Sequence, residues 1–515
     1  MNAIELKLFT SRVTAICDEM GLVLRRAAFS PNIKDRLDFS CALFGPDGEL
    51  FAQAAHIPVH LGSMAFAMQS IVSGQDWCRG DMLILNDPFL GGTHLPDVTV
   101  IAPVFHGTSD RPCGFVANRA HHADIGCDTP GSMPISTHLE EEGIVIPPSW
   151  LLRDGGLVAS TMELLGMTAD QLSGDLAAQV GANHVGVERL QALLGQLGYE
   201  RYEQGMQELN NYADRITASM LQTLVSGEYR FEDYLDDDGQ GTECIKLALK
   251  MTITPEQVLL DFAGSAQQVP GNLNCPLSVV AAAAYYCFRC LMPAEAPACA
   301  GLFRRIIIRA PVGSIVNAER PAAVAAGNVE TSMRLVDVVF GALAGAMSGH
   351  IPAASQGTMN NIAMGASAGA GAPRWDYYET LAGGIGGGPN FPGLDAAHSH
   401  MTNTLNTPIE SLELHYPLRV REYSVRRNSG GMGLNKGGNG ITREYEFLAP
   451  AQLSLLTERR RLQPWSLAAG GGGSSGQNLL NGTVLPGKCC VQVKAGDRLT
   501  VHTPGGGGWG QIESA

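Results

Sequence analysis

Hydrophobic and polar positions change period several times along this chain, and each change marks an element. From residue 4 to about 28, Leu8, Val13, Ile16, Met20 and Leu24 fall at the steps of one helical face, and the helix should stop before Pro31. Residues 38–62 then alternate as a hairpin does, turning at Gly45-Pro46-Asp47-Gly48. At its end, His56-Ile57-Pro58-Val59-His60 reads as extended strand, because Pro58 argues against a helix, and both imidazoles share a face. Residues 82–85 form a short buried strand that ends at the turn formers Asn86-Asp87-Pro88. Residues 98–101 and 115–117 are β-branched or aromatic runs flanking a polar turn, which predicts an antiparallel hairpin.

Residues 162 to about 226 are the strongest helical region, with Val187, Leu190, Leu193, Leu194 and Leu197 on one face. Residues 233–241, DYLDDDGQG, read as an acidic turn connecting domains; they lack the closing glutamate of a calcium loop. Ile245 to Ile253 alternate as a half-buried strand with a return at 258–262, and 277–291 and 306–308 read as a buried helix and another strand. Beyond about 416, short strand runs such as 453–456 and 498–502 alternate with Gly and Pro turns. The predicted class is α+β: a mixed multi-domain architecture with a β-hairpin region suited to a metal and a β-rich C-terminal domain. The expected divisions are 1–240 (N-terminal α+β, carrying the site), 241–415 (central mixed α/β) and 416–515 (β-rich and glycine-rich).

Composition narrows this further. At 515 residues with 45% hydrophobic content, the chain can bury sizeable cores and should be soluble. Glu5, Lys7 and Arg12 stand where a signal peptide needs an apolar core, and no apolar run is long enough to cross a bilayer, so a cytoplasmic location is expected. A formal charge of −15 disfavours nucleic acid or an anionic membrane as partner. The 12 cysteines are scattered, and Cys287-Phe-Arg-Cys290 has no second pair at zinc-site spacing, so reduced core thiols are expected. Glycine, at 62 residues, is in excess, and 503–510, TPGGGGWG, reads as tight backbone packing rather than a phosphate cradle.

Chemistry concentrates between Asn86 and Gly126, where four histidines and four aspartates surround the predicted hairpin. With the turn centred on Ser109, Asp97 falls opposite His121, and His94 lies at the entrance of the first strand. One carboxylate and two imidazoles converging there make a set that binds Zn, Mn or Fe and leaves positions open for water or substrate. A slip of one residue would instead bring in His122. His122 and Asp124 flank the set as a proton-transfer pair, while Asp87, His60, His138 and Glu142 are expected as pocket or supporting groups. The glycine-rich 381–406, with His398 and His400, is a further wall or a subunit contact.

The ordered segments NIKDRLDFSCALF, HIPVHLGSM, NDPFLGGTHLPDV, AHHADIG, PGSMP, DFAGS, NTPIE and TPGGGGWG together resemble the hydantoinase B/5-oxoprolinase family, which includes subunits of acetone and acetophenone carboxylases. Cys127, where many relatives have a second glycine, and Lys436, where arginine is more usual, depart from it. The resemblance implies one divalent metal on His94, Asp97 and His121 and a hydantoinase A-like partner subunit that uses ATP. It also implies a small cyclic amide as substrate, activated by phosphorylation on the partner and hydrolysed at this chain's metal, with His122 or Asp124 moving the proton. A ketone carboxylase subunit, or a non-catalytic scaffold for an ATPase-like partner, are the alternatives.

Overall fold

The first helix, Ala3–Ala27, opens with a capping box: the Asn2 side chain accepts from the Glu5 backbone N–H, and the Glu5 carboxylate accepts from that of Asn2. Val13, Ile16, Met20 and Leu24 are buried as their spacing demands, but Phe9 takes the place of Leu8, which is exposed. This face packs on the helix Gly174–Leu197, where Gly186 leaves room for Met20; a Cβ there would lie 2.5 Å from the Met20 sulfur. The computed structural model describes residues 1–54, 57–168, 172, 174–367 and 374–512.

Seven strands form the sheet that carries the candidate site: β1 (Phe39–Phe44), β2 (Leu50–Gln53), β3 (Met82–Leu85), β4 (Asp97–Val104), β5 (Gly114–His121), β6 (Ser149–Arg153) and β7 (Gly156–Leu157), in the order β2-β1-β5-β4-β3-β6-β7. The central pair, β4 and β5, is buried along its whole length, because the helix Gly174–Leu197 covers one face and the helix Pro58–Val72 the other. Their register sets Asp97 opposite His121, as a turn centred on Ser109 requires, and Pro103 sits within the pairing opposite Phe115 rather than interrupting it.

Two expectations fail locally. The strand predicted over 57–62 is instead the start of the helix Pro58–Val72; a proline in the first turn has no N–H to lose and a φ already suited to a helix. His56 lies outside the described residues. The acidic run at 233–237 is not a connection but the end of the strand Gly227–Asp237, which pairs with Glu243–Ile253. Asp233 is buried there against Arg459 at 2.6 Å, and Asp236 accepts from the backbone N–H groups of Arg460, Arg461 and Leu462.

That second sheet continues through Val258–Asp261 and Ile306–Arg309, the last pair running parallel. The helices Leu277–Cys290 and Ser332–Ala346 pack on each other, and the second lies on the sheet. A third sheet joins Asn361–Ala366 and Trp375–Glu379 to Ala451–Leu456 and Lys488–Val493, so strands from either side of residue 416 share it. A fourth, of five strands from Leu418–Arg426 to Arg498–His502, packs on the third across a core that includes Leu418, Tyr445, Leu453 and Leu499. Among the described residues no helix is long and apolar enough to cross a membrane, and the cysteines are free thiols.

Glycine-rich segments pack backbone to backbone beside these sheets. Gly506 N–H donates to the Gly438 carbonyl at 2.9 Å and Gly438 N–H to that of Ile385 at 2.8 Å. A Cβ on Gly506 would stand 2.1 Å from the Ile385 carbonyl oxygen, and one on Gly437 2.0 Å from that of Gly506. Backbone cannot step aside as a side chain can, so Gly506→Ala should destabilise by about 3 kcal/mol or more. Gly195→Ala, in open space on a helix, should instead stabilise by up to about 1 kcal/mol. Thermal unfolding of the two variants beside the parent protein checks both signs.

Candidate metal centre

Asp97 opens β4 and His121 closes β5, so the pairing of the two strands brings them together. His94 reaches the same point from the loop between β3 and β4, which is pinned at its base. The Asn86 side chain donates to the Leu95 and Ile144 carbonyls at 2.8 and 2.9 Å and accepts from the Ile146 N–H at 2.7 Å. The loop then folds onto itself. Gly91 adopts a left-handed φ of 112°, and a Cβ on Gly92 would lie 2.2 Å from the Asn86 carbonyl oxygen.

Ligating atoms of His94, Asp97 and His121 all lie within 4.8 Å of one another. Asp97 Oδ1 is 3.2 Å from His94 Nε2, 3.3 Å from His121 Nδ1 and 3.2 Å from the Nε2 of His60, which enters from the first turn of the Pro58–Val72 helix. None of the three core residues exposes more than 3% of its surface. Their other atoms are held by neighbours. Asp97 Oδ2 accepts from the Thr93 hydroxyl at 2.6 Å and the Asn328 amide at 3.2 Å, and His94 Nδ1 lies 3.2 Å from the Ala325 carbonyl, which fixes that nitrogen as the donor. Asp97 Oδ1, His94 Nε2 and His121 Nε2 are left buried with no hydrogen-bond partner among the described residues. A polar atom in that state costs about 1–3 kcal/mol each. Two imidazoles and a carboxylate this close together, with His94 and Asp97 each set by a partner on the far side, could hold a divalent ion.

Charge fits that reading. Burial pushes the Asp97 carboxyl up, but His60 and His94 outweigh it and hold it well below the usual carboxylate range. Burial drives His121 down; it works on His94 in the same sense, where Asp97 overcomes it and raises the imidazole. The ionised Asp97 and the neutral His121 are in the protonation that metal binding needs, whereas an ion would have to displace the proton that Asp97 favours on His94. The ligating atoms face a cavity of about 20 Å³, room for one water or ion. Asp38, His60, Asn328, Met359, Tyr378 and Thr402 complete its walls. Asn328 sits in a wide π-helical turn, Gly327–Thr331, pressed so closely on the Asn274 backbone that a Cβ on Gly327 would lie 1.9 Å from the carbonyl oxygen. The Tyr378 ring stacks on His121 with centroids 4.9 Å apart, and Arg36 lies 4.8 Å over the Tyr378 ring.

The other predicted residues divide. His60 lines the cavity. Glu142 reaches the centre at one remove: its buried Oε1 accepts from the Val324 and Ala325 N–H groups, both at 2.9 Å, and so holds the segment whose carbonyl orients His94. Burial raises this carboxyl to about 7. Asp87 is structural to the loop; it accepts from the Phe89 N–H at 3.0 Å and pairs with Arg320. His138 is exposed and bonded to Thr137. His122 follows the strand alternation to the other face, where Nε2 meets Gln179 at 2.8 Å, and Asp124 pairs with Arg374 at 2.9 Å near the surface. Neither lines the cavity. Sequence reasoning passed over Asp38, Thr93, Asn328 and Tyr378. The first two lie inside segments that carried the resemblance, whereas nothing in the pattern around Asn328 or Tyr378 ties them to a hairpin more than 200 residues earlier.

Comparison with known proteins agrees along the whole chain. A family profile described as Hydantoinase B/oxoprolinase matches residues 2–512. The 5-oxoprolinase of Dictyostelium discoideum is 40% identical over 540 residues, covering 100% of this chain and 41% of that protein, so the chain spans less than half the length of this relative. Among solved structures, the ATP-dependent caprolactamase from Pseudomonas jessenii superposes with a TM-score of 0.90 at 26% identity, covering 99% of this chain and 91% of the other. An acetone carboxylase in its nucleotide-free form gives a TM-score of 0.88 at 16% identity, covering 99% and 76%, a likeness of fold alone. With its fold, its motifs and its full length all matched, the chain belongs to the hydantoinase B/oxoprolinase family.

Proposed function

We propose that this chain is the metal-bearing subunit of an ATP-dependent hydrolase of cyclic amides, acting on a ring amide that a hydantoinase A-like partner subunit has activated by phosphorylation. The observation that carries the reading is the buried group His94, Asp97 and His121, whose ligating atoms lie within 4.8 Å of one another beside one small cavity. Family membership supports the reaction class, as do a 5-oxoprolinase and an ATP-dependent caprolactamase among the similar proteins. The sequence carries no P-loop lysine followed by Ser or Thr, which suits ATP use on a partner. The carboxylase likeness lies in fold alone, and a scaffold has no use for desolvated, unpaired ligand atoms.

His94, Asp97 and His121 would hold the ion, zinc or manganese in the first instance and iron as a third option. When bound, such an ion polarises a carbonyl oxygen and lowers the pKa of water from 15.7 toward about 7. The chain's own residues do the rest. Thr93 and Asn328 hold the outer oxygen of Asp97 so that the inner one faces the cavity, and Tyr378 fixes the plane of the His121 ring by stacking. Proton movement falls to His60: its Nε2 is 3.2 Å from Asp97 Oδ1 and 3.9 Å from Asp38 Oδ1, while His122 and Asp124 turn away from the cavity. A positioned imidazole of this kind contributes on the order of 10²- to 10⁴-fold.

Three outcomes are expected. Elemental analysis should find one divalent ion per chain in the parent protein and little in His94→Ala; equal metal content in the two would reject this ligand set. Asn328→Ala, which leaves Asp97 Oδ2 with the Thr93 hydroxyl alone, should weaken metal affinity by about 10-fold in a chelator competition, with the fold intact by circular dichroism. With the ATP-using partner present, His60→Gln should keep its metal and lose about 10²-fold or more in kcat with little change in KM, whereas Asp124→Asn should stay near the parent rate. Loss in Asp124→Asn with none in His60→Gln would restore the proton-transfer role to Asp124.

A further inference from the structure

The third and fourth sheets and the 238–242 turn line a second pocket, of about 730 Å³, that shares no lining residue with the candidate metal centre and has a basic lining. Four cations reach it: Arg426, Arg460, Arg461 and Lys488. Two have carboxylate partners, Arg461 with Glu243 at 2.7 Å and Lys488 with Glu458 at 2.6 Å. The other two are held by neutral oxygens. Arg426 Nη1 donates to the Ser475 and Thr503 carbonyls at 2.8 and 3.0 Å. Arg460 donates from Nε and Nη2 to the Asn478 amide oxygen at 3.1 and 2.9 Å and from Nη1 to the Glu458 carbonyl at 2.7 Å. Neither forms an ion pair among the described residues, although both are partly buried in a chain of net charge −15.

That pattern is unusual chemistry for a structural role. A guanidinium taken out of water is ordinarily answered by a carboxylate, and uncompensated charge costs more the deeper it lies. The remaining acid in the lining does not answer it: Asp237 caps the turn by accepting from the Gly239 N–H at 2.9 Å. Asp236, behind the wall, spends its oxygens on the backbone N–H groups of Arg460, Arg461 and Leu462. Burial dominates both arginines: it lowers Arg426, and on Arg460 it outweighs the through-space pull of Glu330, Asp236 and Glu458 and brings the group down to about 10. His502 is lowered too, by burial and then by the two arginines.

We infer that this pocket binds a phosphate group, gripped by Arg426 and Arg460. The two side chains are oriented in advance by carbonyl and amide oxygens, neither has a carboxylate at ion-pair distance among the described residues, and the planar guanidinium matches phosphate through paired N–H donors. The volume exceeds one phosphate ion, so the group can arrive free or as part of a nucleotide. This does not depend on the metal reading, since none of the residues lining the pocket lines the metal cavity.

Equilibrium dialysis of the full chain against radiolabelled inorganic phosphate, and separately against ADP, tests it. Saturable binding of at least one is expected, weakened by about tenfold or more in Arg426→Ala, whose parent side chain donates to the Ser475 and Thr503 carbonyls. Arg460→Gln should behave alike, and Arg421→Ala, an exposed arginine paired with Glu446 on the neighbouring strand, should bind as the parent does. Tight binding of ADP with weak binding of phosphate would assign the group to a nucleotide, and the reverse to the free ion. Absence of saturable binding by both, or undiminished binding in a folded Arg426→Ala, would overturn the inference; should Arg460→Gln fail to fold, Arg426→Ala decides alone.

Discussion

Asp97 has no exposed surface, and a carboxylate in that position must be answered on every side. Thr93 and Asn328 satisfy one oxygen, while three imidazoles face the other at 3.2–3.3 Å. Much of the local architecture follows from this need. The glycines at 91 and 92 fold the loop tightly enough to deliver His94 and Thr93, and the pairing of β4 with β5 delivers His121. A shift of one residue along that ladder would turn His121 outward and bring His122 in, so burial of the β4 and β5 faces is also what secures the centre.

The centre is assembled from segments far apart in sequence. Asp38 and His60 come from the first sixty residues, the core set from the central hairpin, Asn328 from a π-helical turn, and Tyr378 and Thr402 from beyond it. Long-range hydrogen bonds tie these pieces together: Arg36 to the Tyr378 carbonyl and the Thr380 hydroxyl, both at 3.2 Å, the Met133 carbonyl to Ser454 at 3.0 Å, and Tyr378 through Asn361 to the buried Glu330. Glu330 is raised to about 8 by burial, so this last link is neutral in ordinary conditions. The C-terminal sheets and their glycine packing thus bear on the site without supplying its core residues.

Elsewhere the interior answers charge with charge. Arg459 sits between Asp233 at 2.6 Å and Asp337 at 3.1 Å, and Lys488 meets Glu458, all of them buried. Such pairs contribute little net stability, yet removing one partner is costly because the other is left uncompensated. Against that habit, Arg426 and Arg460 stand out, because their guanidinium groups are held by carbonyl and amide oxygens and not by carboxylates within ion-pair distance among the described residues.

The sequence by itself determined the elements whose signal is local: the capped first helix, the hairpins, the helical region after 162, the alternation of 245–253 and the glycine packing of 503–510. A two-residue period with the turn centred on Ser109 predicted Asp97 opposite His121 but left a one-residue slip to His122 open, and the pairing of β4 with β5 decided between them. Reading failed where one local rule admitted two outcomes. Pro58 fits an extended strand or the first turn of a helix, and the packing of Met64, Met68 and Ile71 against β3, β4 and β5 chose the helix. The acids at 233–237 read as part of a connecting turn until Arg334 and Arg459, from later segments, meet Asp233 and allow a strand to bury it. Which side chains face the cavity was likewise a tertiary decision: alternation sent His122 to Gln179, Arg374 drew Asp124 to the surface, and Asn328 and Tyr378 came in from segments that no periodicity connects to the hairpin.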